Sequence, residues 1–122
     1  MKRDNVLKTK SFDFAKRILK LHSVLINEKK EYVISKQLLR SGTSIGANVR
    51  EAVNAESKKD FVHKLGVAQK ECDETLFWIE LLKDDYLTIK EFESIHIDAF
   101  ELLKIIRSII LTTKEKLNKT IE

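Results

Sequence analysis

Residues 40–52 limit the possible folds most strongly, because they combine helical periodicity with very small side chains. The segment holds two of the three glycines and several other small residues: Gly42, Gly46, Ser41, Thr43, Ser44 and Ala47. Apolar residues recur through it and its flank at helical spacing: Ile34, Leu38, Ile45, Val49 and Ala52. An interior glycine destabilises a helix by about 1 kcal/mol relative to alanine. We therefore expect a helix here that a neighbouring backbone approaches closely.

The composition favours one folded domain built from long helices. The 122 residues include no proline and only three glycines, and 43% are hydrophobic, which is enough apolar surface to form a core. We expect a single domain over residues 1–122. The chain has no run of about 18 apolar residues and no apolar segment after its charged start, which predicts neither a membrane span nor a secretory signal. A single cysteine, Cys72, indicates a reducing cytoplasm.

Apolar periodicity and turn signals predict four helices, at about residues 5–29, 34–54, 58–84 and 89–116. Ser57 with Asp60, and Thr88 with Glu91, resemble capping boxes at the starts of the third and fourth helices. Ser35 is a candidate cap of the second. Four helices of similar length joined by short connections predict an all-α, antiparallel, up-down-up-down four-helix bundle.

The first helix carries two adjacent apolar stripes, which together give it a wide apolar face. The first stripe consists of Leu7, Phe14, Ile18, Leu21 and Leu25. The second consists of Phe12, Ala15, Leu19, His22 and Ile26.

The second and third helices carry apolar residues on more than one face. A four-helix bundle buries only one face of each helix, and large exposed apolar patches are uncommon on monomers. We therefore expect a homo-oligomer that contacts through these two helices, with Trp78 as an anchor. The predicted interface residues are Leu39, Gly46, Val67, Phe77, Trp78 and Leu81. The alternative is that Trp78 only covers the edge of the bundle.

Positive charge is concentrated at the start of the chain. The net charge is +4, and residues 1–30 hold nine Lys and Arg against three Asp and Glu, a local excess of +6. Such a segment attracts polyanions. The sequence therefore predicts nucleic-acid binding on the first helix through Lys10, Lys16, Arg17 and Lys20. The alternative is an ordinary solvated helix face. Base stacking is not expected, because the aromatic residues lie mostly on apolar stripes.

Polar residues also border the apolar stripes between the second and third helices, where they need partners. This predicted cluster consists of Arg40, Ser41, Ser44, Asn48, Glu51, Asp60, Lys64 and Glu71. It is either a hydrogen-bond and ion-pair network that sets the helix register or a cluster that contacts a ligand or RNA.

The sequence predicts no catalytic or cofactor site. His22, His63 and His96 lie on three different predicted helices, without ligands at a recognised metal spacing. The third helix carries an apolar seam with alternating spacings of four and three, formed by Phe61, Leu65, Ala68, Cys72, Thr75, Ile79 and Leu82. The position of Cys72 on this seam favours a small buried hydrophobe over a nucleophile. The glycines lack the strand, loop and lysine of a phosphate-binding loop. We therefore expect a protein that is not an enzyme and that carries neither a metal nor a cofactor.

Residues 40–52 and the helix that follows resemble the bacterial four helix bundle protein family. The matching residues beyond 52 are Ser57, Asp60, Phe61, Lys64, Leu65, Ala68, Lys70, Glu71, Glu74, Thr75, Trp78, Ile79, Leu81 and Leu82. Members of this family include proteins encoded in intervening sequences of 23S rRNA genes, also labelled S23 ribosomal proteins. The resemblance implies a small antiparallel bundle that assembles as a ring, a homopentamer.

The fold implied by the resemblance is also similar to the accessory variability proteins of diversity-generating retroelements. Those proteins form basic pentameric barrels that bind nucleic acid and a reverse transcriptase. Together with the basic first helix, this predicts a cytoplasmic, non-enzymatic homo-oligomer that binds RNA or DNA, with a reverse transcriptase as a candidate protein partner. The alternative is a protein-interaction scaffold or adaptor that has no nucleic-acid role.

Overall fold

The computed structural model describes residues 2–121, which form four α-helices: α1 (Lys2–Asn27), α2 (Ile34–Val53), α3 (Lys58–Leu82) and α4 (Ile89–Ile121). Met1 and Glu122, the ends of the predicted domain, lie outside the described residues. The prediction of four helices is confirmed. The first helix begins earlier and the fourth ends later than predicted, because neither end contains a glycine or proline that would stop it.

The four helices form an antiparallel bundle. Each helix packs on the next one in the chain, and α4 returns to α1 with the least extensive contact of the four. Residues 28–33, 54–57 and 83–88 make the connections, so consecutive helices run in opposite directions. The predicted up-down-up-down arrangement is confirmed.

Glycines in α2 allow α1 to pack very closely. A Cβ atom added to Gly42 would lie 2.8 Å from Cγ1 of Ile18, and one added to Gly46 would lie 3.2 Å from the carbonyl oxygen of Ser11. A side chain at either position would therefore force its neighbour on α1 to shift. The predicted close approach is therefore confirmed, and the neighbouring helix is α1.

The core is built from apolar residues of all four helices, and on α1 it differs from the predicted face. The first stripe of α1 is buried or half-buried. Phe12 and Leu19, from the second stripe, are 51% and 54% exposed. The wide apolar face of α1 is therefore only partly buried. Because α2 packs against Ser11 and Ile18, the second stripe lies at the outer edge of the α1–α2 contact.

Both predicted capping pairs form, but Ser35 does not cap α2. The Ser57 hydroxyl accepts a bond from the Asp60 N–H, and Thr88 and Glu91 exchange backbone-to-side-chain bonds in both directions. The start of α2 is instead capped by Glu31. Ser35 donates its hydroxyl proton to the Glu31 carbonyl oxygen.

The Glu31 carboxylate accepts hydrogen bonds from the N–H groups of Val33, Ile34 and Ser35, at 3.1, 3.1 and 2.6 Å. Burial opposes its ionisation, but these backbone bonds outweigh burial and lower the pKa of Glu31. The ionised carboxylate also lies at the positive end of the α2 dipole.

Candidate nucleic-acid interface

Two of the four predicted nucleic-acid contacts face α4 and are paired there. Lys10 Nζ lies 2.7 Å from Glu101, whose hydrogen bond raises the pKa of Lys10. Arg17 lies 2.6 Å from Asp98 and also donates to the carbonyl and hydroxyl oxygens of Ser94. These cations join α1 to α4, and the acids of α4 compensate their charge. Their geometry indicates a structural role.

The other two predicted contacts, Lys16 and Lys20, lie on the exposed side of α1. Neither forms an ion pair with another described residue, and Lys16 Nζ lies 5.8 Å from the centre of the Phe12 ring. Lys8 of α1 and Arg50 of α2 are likewise exposed and without an ion pair in the described chain. We call Lys8, Lys16, Lys20 and Arg50 the basic flank.

Sequence reasoning missed half of the basic flank. Lys8 is eight residues before Lys16 on the same helix, so helical spacing alone was a usable signal for it. Arg50 comes from α2, and no pattern in the sequence places it beside α1.

A groove of about 330 Å³ runs between α1 and α2 at the basic flank. It is lined by Lys8, Phe12, Ala15, Thr43, Gly46, Ala47, Arg50 and Glu51. The small residues of α2 leave room beside the half-exposed ring of Phe12. The carboxylate of Glu51 lies 3.7 Å from Lys64 Nζ of α3, so its charge is partly compensated from outside the groove.

The predicted polar cluster between α2 and α3 is present in part. Ser41 and Thr75 form a buried hydroxyl–hydroxyl bond of 2.9 Å, and Thr75 also bonds to the Glu71 carbonyl at 2.7 Å. Arg40 contacts the carboxylates of both Glu71 and Glu74. Glu74 and Thr75 were not predicted as members, although Thr75 lies on the predicted seam of the third helix.

The remaining members of the predicted cluster are less connected across the two helices. The hydroxyl of Ser44 bonds to the backbone carbonyl four residues earlier, and Asn48 bonds to the Ser44 carbonyl at 2.8 Å. Glu51 reaches Lys64, and Asp60 is half-buried at the start of α3. Ser44 and Asn48 thus bond within α2, whereas the contacts of Ser41, Arg40 and Glu51 cross to α3. These crossing contacts favour the alternative of a network that sets the helix register.

Four of the predicted interface residues lie on the outer side of α3, which we call the α3 face: Val67, Phe77, Trp78 and Leu81. Phe77 and Leu81 are 53% and 50% exposed, while Val67 and Trp78 are half-buried. The rings of Phe77 and Trp78 meet edge to face at 5.0 Å, which holds both in place.

The other two predicted interface residues, Leu39 and Gly46, lie away from the α3 face. Gly46 packs against Ser11 of α1, and Leu39 is half-buried against the core one heptad earlier on the same side of α2. The close approach at Gly46 is thus a contact between α1 and α2 of the same chain.

Two residues of chemically reactive types, Cys72 and His96, contact other residues of the bundle. Cys72 is fully buried, burial raises the pKa of its thiol to about 12, and the thiol bonds to the Ala99 carbonyl. His96 lies 3.2 Å from Glu80.

Residues 2–121 contain no group of three His, Cys, Asp or Glu side chains placed to hold a metal ion. None of the four helices, as described, is long and apolar enough to cross a membrane.

The fold defines the class of protein: a small, all-α, antiparallel four-helix bundle. Within that class, the chain belongs to the 23S rRNA-intervening sequence protein family, whose model matches residues 3–108. The resemblance seen in residues 40–82 is thereby confirmed at the level of the family. No curated protein matches the chain.

A solved structure from Bacteroides thetaiotaomicron VPI-5482 is similar along most of its length. It is a protein with unknown function from the S23 ribosomal protein family, and it is 54% identical to this chain. The match covers 88% of this chain and 97% of the other, with a TM-score of 0.86.

Proposed function

We propose that this chain is a non-enzymatic, cytoplasmic homo-oligomer that binds RNA or another nucleic acid through the basic flank. The observation that carries the proposal is the placement of four exposed cations, from two helices, without ion pairs among the described residues. Cations already paired with carboxylates offer little net attraction to a polyanion, whereas unpaired cations can each replace a counterion on a phosphate.

The spacing of the basic flank suits a phosphate backbone. Lys16 and Lys20 are about one helical turn apart, a rise of roughly 6 Å, and Lys8 lies about 12 Å before Lys16 along α1. Arg50 adds a cation on the other side of the groove. Contacts of this kind position a nucleic acid without reading its sequence.

The α3 face supports the proposal of a homo-oligomer. Phe77 and Leu81 are large apolar residues left half-exposed beside Trp78, a residue type enriched at interface centres. The resemblance implies a homopentameric ring, which is the assembly we propose. Each subunit of a ring repeats the basic flank, so several flanks can engage one nucleic acid together.

Fluorescence anisotropy tests the nucleic-acid part of the proposal. The purified protein is titrated into labelled structured RNA and duplex DNA between about 50 and 200 mM salt. Four phosphates neutralised per flank predict an affinity loss of about 100-fold over that range, and a larger loss if several subunits engage. Absence of binding at the lowest salt would contradict the proposal.

Light scattering tests the assembly. The wild-type protein is expected to have the mass of several chains. A Phe77→Ser, Leu81→Ser variant is expected to have a lower mass with unchanged helix content, because the two side chains are exposed in the single chain. A single-chain mass for the wild type would contradict the proposed oligomer.

A second candidate function is a protein-interaction scaffold without a nucleic-acid role, with a partner such as a reverse transcriptase. The exposed apolar residues of the α3 face favour it, because they fit a protein surface better than a phosphate backbone. Binding to a partner protein that is insensitive to nuclease and salt, without affinity for RNA or DNA, would support this alternative.

A further inference from the structure

We propose that the groove between α1 and α2 holds an unpaired base against Phe12, so that the basic flank prefers single-stranded nucleic acid. This inference rests on the proposed nucleic-acid binding and specifies its ligand class. It reverses the expectation from the sequence that no aromatic ring is available for stacking.

Phe12 has the exposure and the surroundings that stacking requires. Its ring is 51% exposed although it lies on an apolar stripe. On the opposite side, the groove is lined by small residues of α2, Thr43, Gly46 and Ala47. The resulting volume of about 330 Å³ is within the range of small-ligand sites.

The charges around the groove fit a nucleotide better than an apolar ligand. Lys8 and Arg50 line the groove, and Lys16 Nζ lies over the Phe12 ring, 5.8 Å from its centre. One acid, Glu51, is among the eight lining residues, and Lys64 of α3 approaches it. A base placed on Phe12 therefore has cations on both helices within reach of its flanking phosphates.

Base pairing decides whether a nucleic acid can stack on Phe12, so duplexes and single strands should bind differently at this groove. In a duplex the base faces are stacked inside, so only phosphates can reach the basic flank. In a single strand every base offers a face to an aromatic ring, and such stacking contributes roughly 10- to 100-fold to affinity per base.

A second copy of this chain is the competing occupant of the groove, because Phe12 and Leu19 are both apolar and exposed.

The test compares three labelled probes of equal length: a single-stranded oligonucleotide, the same strand with abasic sites in place of its internal bases, and a duplex. The abasic strand keeps the phosphates and removes the stacking surface. The wild-type protein is expected to bind the intact strand about 10- to 100-fold more tightly than the abasic strand. The Phe12→Ala variant is expected to bind both strands equally.

Leu19→Ala is the matched control, because Leu19 is 54% exposed on the same helix but does not line the groove. It is expected to keep the wild-type preference for the intact strand. Equal wild-type affinity for intact and abasic strands would overturn the inference, as would an unchanged preference in Phe12→Ala. A lower oligomer mass for Phe12→Ala with an unchanged preference would assign the groove to a second copy. Failure to bind any probe would instead contradict the proposed function.

Discussion

Cations lie on both sides of α1, but among the described residues only those that face α4 form ion pairs. Toward α4, Lys10 and Arg17 form ion pairs with Glu101 and Asp98, across the least extensive helix contact in the bundle. Toward α2, glycines bring the backbones together, and the nearby cations stay exposed without ion pairs among the described residues. On α1, therefore, the contact with α2 rests on close packing, and the looser contact with α4 is supplemented by ion pairs.

The largest expected effect comes from removing two exposed cations of α1, compared with removing the two cations that pair with α4. We expect Lys16→Gln with Lys20→Gln to weaken single-strand binding about 10- to 50-fold and to reduce the salt slope by about 1.4, because two phosphate contacts are lost. Lys10→Gln with Arg17→Gln removes the same charge and is expected to change affinity much less. Equal losses in the two variants, measured by anisotropy, would show that only total charge matters.

The next effect tests the close packing on the α2 side. We expect Gly42→Ala to destabilise the fold by up to about 2 kcal/mol, because overpacking against Ile18, typically about 1–3 kcal/mol, exceeds the roughly 1 kcal/mol gained in helix propensity. The control is Gly66→Ala. A Cβ there meets nothing within 4 Å, so this variant is expected to be more stable by about 0.5–1 kcal/mol.

Urea unfolding at one protein concentration measures both glycine variants, because the stability of an oligomer depends on concentration. Stabilisation by Gly42→Ala would show that α1 and α2 can separate easily. It would contradict the conclusion that close packing holds the α2 side of α1.

The turn between α1 and α2 adds a pH-dependent effect. The lowered pKa of Glu31 means that its ionised form stabilises the fold above the unfolded-state value of about 4.3, and that this contribution is lost as the pH falls through the folded-state pKa. We expect Glu31→Gln to lower stability by about 1 kcal/mol at pH 7. The difference from wild type should shrink in acid.

Glu28→Gln serves as the control for this turn, since Glu28 is exposed and belongs to the same connection. A pH-independent difference between wild type and Glu31→Gln, in thermal unfolding from pH 3 to 7, would exclude ionisation as the source of the effect.

The smallest effect should come from releasing the paired cations. Asp98→Asn with Glu101→Gln removes the partners of Lys10 and Arg17, so we expect nucleic-acid affinity to rise a few-fold. Glu93→Gln with Glu115→Gln removes the same charge from exposed positions elsewhere on α4. A similar rise in both variants would mean that the ion pairs do not restrict Lys10 and Arg17.

Local patterns predicted most of the fold. Helix number, the buried seam of α3, the capping pairs at Ser57 and Thr88, and the close approach of a neighbour at Gly42 and Gly46 all follow from spacing within about one to three helical turns. The physical reason is that an α-helix converts sequence spacing directly into position on a face. Residues 40–82 also carried enough of the family pattern to identify the family.

The candidate site was less predictable, because it depends on where separate helices lie. The ion pairs that occupy Lys10 and Arg17 join residues 91 and 81 positions apart, and helical spacing within α1 does not indicate them. The same limit explains Ser35, which fits a cap pattern, while the nearby Glu31 carboxylate takes that position.

The amino-acid pattern alone was thus sufficient for the helices, their inward faces and the small-residue contact of α2, since each depends on neighbours along the chain. Packing between the helices settled which cations form no ion pair with the described residues, that Phe12 stays exposed, and that Arg50 and Lys8 line the same groove. Those properties depend on distances between helices, which follow from how all four side-chain surfaces fit together.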